Sequence, residues 1–85
     1  MAWDKQKAER FGETLKDLRG AKGFTQESLA WHAGTTKNQI QLLESGKASG
    51  NQGVDRPSNP RITSLMGLAD ALDMSLAELM EAADL

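Results

Sequence analysis

The side chains with the most chemistry to offer lie close together near the middle of the chain. Lys37, Asn38 and Gln41 carry an ammonium group and two amides, and helical spacing puts them on the side opposite Ile40 and Leu43. Together these groups can donate and accept several hydrogen bonds. No nucleophile–base pair accompanies them in the sequence, so we expect recognition by hydrogen bonding and no enzyme activity.

The composition excludes most other kinds of site. The chain has no cysteine and a single histidine, His32, so a disulfide, a thiolate metal site and a site of several imidazoles are all excluded. Five acids follow residue 61 at spacings typical of a solvated face of amphipathic helices rather than of metal ligands. We therefore expect no metal and no cofactor, and we do not expect His32 to be a ligand.

The net charge of −2 conceals an uneven distribution. Residues 1–61 carry ten Lys and Arg against seven Asp and Glu, whereas residues 62–85 carry five acids and no base. A mildly basic body with an acidic end is compatible with binding a polyanion through one surface, with modest non-specific affinity.

The length of 85 residues predicts a single domain, 1–85, with one small hydrophobic core spanning 8–82. The N-terminus is polar and carries both signs of charge, so it lacks the apolar region of a secretory signal. No apolar run approaches the ~18 residues of a membrane span. We expect a soluble, cytoplasmic protein with no membrane contact.

Five helices are predicted to build this core. They span 5–22, 26–33, 37–45, 62–72 and, after Ser75, a fifth segment. Thr25 is expected to be an N-cap, and capping boxes are expected from Thr36 to Gln39 and from Ser75 to Glu78. The sequence shows no strand pattern.

Apolar residues at helical spacing give the predicted inward positions. These are Ala8, Phe11, Leu15, Leu18 and Ala21 in the first helix, Ile40 and Leu43 in the third, Ile62, Leu65, Leu68, Ala69 and Leu72 in the fourth, and Leu76, Leu79 and Met80 in the fifth. The segment 47–61 contains three Gly or Pro clusters and no period, so it is predicted to be a long loop. Trp3 could extend the first helix, anchor a dimer or belong to a frayed terminus.

The second and third predicted helices are joined by a turn of only three residues. Two helices that cross over so short a turn need a small residue at their contact and a backbone free to adopt positive φ between them. Ala30 and Gly34 meet these two needs. The stretch from Thr25 to Gly46 therefore predicts a helix-turn-helix.

Five motifs in this order resemble one family. They are L-x-x-L-R ending at Arg19, T-Q-x-x-L-A from Thr25, A-G at Gly34, I-x-x-L-E-x-G-K ending at Lys47, and P-x-I-x-x-L-x-x-L-A-x-x-L from Pro60 to Leu72. Over residues 10–82 the chain is similar to the lambda-repressor-like helix-turn-helix domains of phage Cro and repressor proteins and of xenobiotic-response-element regulators. The resemblance implies an all-α, five-helix domain that regulates transcription as a homodimer on double-stranded DNA.

The resemblance also implies how such a domain would read a base sequence. The helix at 37–45 would lie in the major groove, where Asn38 could pair with an adenine and Lys37 could donate to a guanine. Thr36 and Gln41 would face the duplex as well. Leu42 matches a position that is often polar in relatives, and here it could contact a thymine methyl group.

The remaining implied positions bind the phosphate backbone or support the fold. Gln26 resembles the residue that contacts phosphate, and Lys47, together with Arg56 or Arg61, would add contacts that do not depend on base sequence. Arg19 and Glu44 occupy positions that form an ion pair in relatives.

A protein-interaction module is the alternative function, as in an antitoxin-like or accessory protein with weak or no DNA binding. Trp31, predicted to be exposed on the second helix, and the acidic end of the chain motivate this alternative. A continuous positive stripe along the helix-turn-helix would favour DNA. A neutral groove beside an apolar patch at Trp31 would favour a protein partner.

Overall fold

Five α-helices account for most of the residues that the computed structural model describes, which are 2–48 and 56–85. The helices are α1 (Lys5–Ala21), α2 (Gln26–Ala33), α3 (Lys37–Ser45), α4 (Ile62–Ala71) and α5 (Leu76–Ala82). Within these two ranges there is no strand, only an isolated antiparallel bridge between Lys47 and Pro57. The predicted all-α, five-helix fold is confirmed, and α1 and α4 each end one residue earlier than expected.

Side-chain caps fix the starts of four helices, α1, α2, α3 and α5. Ser75 and Glu78 form the predicted capping box of α5, with distances of 2.8 and 3.0 Å. At α2, Thr25 is the predicted N-cap, and it also forms a capping box with Ser28 that was not predicted. At α3, Thr36 accepts a hydrogen bond from the Gln39 amide at 3.1 Å, and only this half of the predicted box forms.

All five helices contribute buried side chains to the core. Its largest fully buried side chains are Phe11, Leu15, Leu29, Ile40, Leu43, Leu68 and Leu79. Two glycines let the helices approach closely. A Cβ atom at Gly12 would lie 2.5 Å from the Leu43 carbonyl oxygen, and one at Gly67 would overlap the carbonyl oxygen of Ala33. Glycine is therefore required where α1 crosses α3 and where α4 crosses the end of α2.

Two predicted core positions are wrong. Ile62 is 60% exposed, and it begins α4 more than one turn before the close contact of Gly67 with Ala33. Ala21 is also exposed. It lies six residues after Leu15, which is about 240° round the helix and so away from the core.

The two described ends of the predicted loop 47–61 are joined to each other. Ala48 N–H donates to the Arg56 carbonyl at 2.9 Å, and Ser58 N–H donates to the Gly46 carbonyl at 3.0 Å. Residues 49–55 of that loop lie outside the described residues. The loop therefore leaves α3 and returns to α4 through a hydrogen-bonded base.

Trp3 packs against this base instead of extending α1 or fraying. Its indole N–H donates to the Ser58 carbonyl, and its ring meets Phe11 edge-on with centroids 6.2 Å apart. Helix α1 begins only after Asp4, whose carboxylate accepts a hydrogen bond from the Lys7 amide at 2.9 Å. This hydrogen bond lowers the pKa of Asp4.

Candidate nucleic-acid interface

The turn between α2 and α3 is closed by backbone hydrogen bonds. Gly34 adopts φ 74° and ψ 30°, the left-handed conformation in which a side chain would be strained. Thr35 N–H donates to the Ala30 carbonyl at 2.9 Å. Thr36 then caps α3, which begins three residues after Gly34.

The outer face of α3 carries the polar row predicted from the sequence. Thr36, Lys37, Asn38 and Gln41 are all exposed, whereas Ile40 on the opposite face is fully buried. One side of α3 is thus locked into the core and the other is free. A helix presented in this way is narrow enough to enter a major groove about 12 Å wide.

A depression of about 400 Å³ lies beside this row, between α3 and the start of α4. Lys47 and Arg61 both line it, and Leu42 is half-buried at its edge. The structure therefore places two cations next to the outer face of α3. Arg61, which the sequence left as an alternative to Arg56, belongs to this side of the molecule.

Arg56 is exposed and lines a different depression, of about 420 Å³, beside Trp3. The Arg56 carbonyl accepts a hydrogen bond from the N–H of Ala48, the residue after Lys47. Arg56 and Lys47 therefore lie close together at the base of the loop. Arg56 is thus a neighbour of the row on α3 but not part of the same depression.

A third depression, of about 510 Å³, brings together the first residues of α2 and α3, which are Gln26 and Lys37. Arg19 lines the same space. Gln26 is half-buried, and its side-chain amide nitrogen donates to Glu44 Oε1 at 3.1 Å. The residue predicted to contact phosphate is therefore held by a side chain near the end of α3.

Arg19 and Glu44 form a two-pronged ion pair. Arg19 Nε lies 2.6 Å from Glu44 Oε2, and another guanidinium nitrogen lies 3.1 Å from Oε1. The hydrogen bond to Glu44 raises the pKa of Arg19, against the opposing effect of desolvation. Arg19 also donates to the Phe24 carbonyl at 3.0 Å. One guanidinium thus ties α1 to α3 and to the segment that leads into α2.

Two further ion pairs join α1 to the acidic end of the chain. Lys22 Nζ lies 2.9 Å from Asp73, and an Arg10 nitrogen lies 3.8 Å from Asp84. The two acids are largely exposed and the two bases are partly exposed, so each pair contributes at most about 1 kcal/mol to stability. Their consequence is electrostatic, since they balance basic charge away from α3.

Other kinds of site find little support over 2–48 and 56–85. In that part of the chain no cluster of three or more His, Cys, Asp or Glu side chains could hold a metal ion. His32 is exposed and lies between the rings of Phe24 and Trp31, each with its centroid 5.1 Å away. No helix in the same ranges is both long and apolar enough to cross a membrane.

Solved structures similar to this chain include several regulators. A family model described as a helix-turn-helix domain matches residues 10–83. The crystal structure of the restriction-modification controller protein C.AhdI from Aeromonas hydrophila is 32% identical, with a TM-score of 0.69 over 85% of this chain and 94% of that one. The master regulator for biofilm formation SinR, solved in complex with DNA, is 27% identical, with a TM-score of 0.63 over 82% of this chain and 97% of that one.

The clp gene regulator ClgR from Corynebacterium glutamicum shares the fold at 22% identity, with a TM-score of 0.73 over 99% of this chain and 95% of that one. Among curated proteins there is no significant match. The family model covers most of the chain, and the similarity to C.AhdI extends over nearly the whole of both proteins. The chain therefore belongs to the helix-turn-helix family of DNA-binding regulators.

Proposed function

We propose that this single domain is a sequence-specific transcriptional regulator that reads the major groove with α3. The observation that carries the proposal is the free outer face of α3, whose polar row is exposed while its inner face is buried. Base contact needs unpaired side chains on a helix that is itself held in position, and this arrangement provides them. Similarity to SinR, solved in complex with DNA, supports the same reading.

Base edges are read by Lys37, Asn38 and Gln41, with Thr36 and Leu42 at the edges of the row. An amide such as Asn38 can pair bidentately with adenine N6 and N7, and an ammonium such as Lys37 can donate to guanine O6 and N7. The half-buried Leu42 offers an apolar surface for a thymine methyl group.

Phosphates are bound on both sides of the row. Gln26 approaches one strand at the N-terminus of α2, where backbone N–H groups favour an anion. Lys47, Arg56 and Arg61 approach the other strand from the loop base and the start of α4. These contacts set the register of α3 without reading sequence.

The protein acts as a cytoplasmic homodimer on an operator with two-fold symmetry. Half-sites one helical turn apart, about 10 bp centre to centre, would place two copies of α3 on one side of the duplex. Binding is the whole function, with no catalytic step, metal or cofactor.

Selection from a pool of random duplexes tests this function. After several rounds at low salt, we expect one enriched motif with two-fold symmetry, bound far more tightly than unselected duplex in a gel shift. Sedimentation of the complex should give two chains per operator. A pool with no enriched motif, or a protein that retains no duplex in dilute buffer, would refute the proposal.

A protein-binding function is the second candidate, and the exposure of Trp31 favours it. The side chain is 78% exposed on α2, beside a depression of about 350 Å³ that Glu27 and His32 also line. Large apolar side chains in such a position are often covered by a partner. Under this function Trp31→Ala would abolish partner capture, and substitutions in the α3 row would leave it unchanged.

A further inference from the structure

Gln26 is held in place before any ligand arrives. Its amide nitrogen lies 3.1 Å from Glu44 Oε1, so the first residue of α2 is joined to the last turn of α3. A free glutamine side chain at this position would sample several rotamers in water. The contact with Glu44 removes much of that freedom.

The chemistry of the contact fixes which way the amide faces. A carboxylate only accepts hydrogen bonds, so the Gln26 nitrogen, and not its oxygen, must face Glu44. One N–H of the amide is used in this contact. The second N–H remains available to donate to another acceptor.

Glu44 can hold the Gln26 amide close to DNA only because Arg19 neutralises its negative charge. Its side chain is 5% exposed and accepts two hydrogen bonds from Arg19, at 2.6 and 3.1 Å. An unpaired carboxylate next to a phosphate would repel it, whereas the Arg19–Glu44 pair carries no net charge. The pair thus orients Gln26 without an electrostatic penalty for the duplex.

We propose that Glu44 is a positioning residue for DNA binding, which holds the Gln26 amide with its free N–H directed at a backbone phosphate. The inference rests on the proposed function and adds a second role to the structural ion pair. Gln26 then loses little freedom on binding, and its hydrogen bond to phosphate contributes more to affinity.

A double-mutant cycle on the selected operator tests the coupling. The pair variant Arg19→Met/Glu44→Leu removes the acceptor for Gln26, keeps the buried volume and leaves the net charge unchanged. We expect it to weaken operator binding by about threefold to tenfold, the range for one hydrogen bond. Adding Gln26→Met to the pair variant should then cause almost no further loss.

The matched control removes a more exposed ion pair, made by the residue that follows the last residue of α1. Lys22→Met/Asp73→Asn also leaves the net charge unchanged, and Asn tolerates the positive φ of 57° at position 73. Its operator affinity should equal that of the wild type. If the pair substitution weakens operator binding as much in a Gln26→Met background as it does in the wild type, the two sites are not coupled and the inference is overturned.

Operators with a single neutral methylphosphonate linkage identify the ligand. One linkage in each half-site should weaken the wild type by several-fold and weaken both Gln26→Met and the pair variant clearly less, because only the backbone N–H groups of α2 then act on that phosphate. If every linkage acts equally on the three proteins, no phosphate depends on Gln26, and the inference fails while the proposed function stands. A wild type that binds no duplex would refute both.

A measurement on the free wild-type protein keeps the inference testable even if the pair variant does not fold. In NMR exchange experiments, the side-chain amide protons of Gln26 should exchange with water more slowly than those of Gln41, which is exposed and has no such partner. Equal exchange rates for the two glutamines would show that Glu44 does not hold Gln26.

Discussion

Replacing Glu44 with alanine should destabilise the fold strongly. The change removes a carboxylate that is 5% exposed and leaves the Arg19 guanidinium, 17% exposed, with the Phe24 carbonyl as its remaining partner. Breaking one side of a buried ion pair costs about 3–5 kcal/mol. Because Arg19 keeps some contact with water, we expect the lower end, about 3 kcal/mol.

That loss is large for a domain of this size. At roughly 0.05–0.15 kcal/mol per residue, the whole chain has a stability of about 4–13 kcal/mol. A loss of about 3 kcal/mol corresponds to a fall in Tm of about 12–24 °C for a domain of this length. Urea and thermal denaturation followed by circular dichroism at the helix band would measure both quantities.

Two comparisons show whether the reasoning is right. Lys22→Ala breaks an exposed ion pair and should change stability by less than about 0.5 kcal/mol. Arg19→Met/Glu44→Leu replaces the buried pair by apolar groups and should recover most of the stability lost in Glu44→Ala. A Glu44→Ala protein with an unchanged thermal midpoint would refute the argument, because Arg19 would then not need its partner.

Three further outcomes follow from the described contacts. Hydrogen bonds from Ser75 at the start of α5 lower the pKa of Glu78 below its usual 4.5. These bonds therefore stabilise the fold above that pH, and the stabilisation is lost as the pH falls through the lowered pKa. Glu78→Gln should make the free energy of unfolding depend less on pH in acid. Gly67→Ala should cost about 1–3 kcal/mol in urea denaturation, since its Cβ would overlap the Ala33 carbonyl; an unchanged midpoint would contradict the close crossing. On the selected operator, Asn38→Ala should cost about 1–3 kcal/mol of binding free energy and relax the preference at one base pair. Lys47→Ala should instead weaken binding to all sequences alike and reduce the slope of log binding constant against log salt concentration by about one. Identical behaviour of the two variants would contradict their assigned roles.

Local chemistry made most of the fold predictable from the sequence. The bounds of α2 and α3 agree with the prediction because a threonine cap and a left-handed glycine mark each helix, and both signals act within one turn. The inward position of Ile40 followed from helical spacing alone. Helical spacing predicted burial of Ile62 wrongly. Spacing identifies the inward face of a helix but not which turns of that face are covered by the rest of the fold.

Contacts between distant segments were beyond the sequence. Nothing in the pattern around Trp3 indicates that its indole donates to the Ser58 carbonyl, 55 residues away. The bond from Gln26 to Glu44 was missed for a similar reason. Motif resemblance assigned each residue one role, phosphate contact or ion pair, and gave no reason to join them. Such contacts depend on the angle between helices, which is a property of the assembled core.

The arrangement of charge explains how a protein with a net charge of −2 can bind a polyanion. Lys22 and Arg10 pair with acids of the C-terminal segment, so α1 contributes less positive potential than its composition implies. Lys37, Lys47 and Arg61 line the depressions beside the outer face of α3. In the proposed complex few cations face the duplex, and the affinity that comes from counterion release is small. Specific binding in that complex depends mainly on base contacts by the row on α3. Such contacts favour discrimination between operator and bulk DNA over tight binding to any sequence.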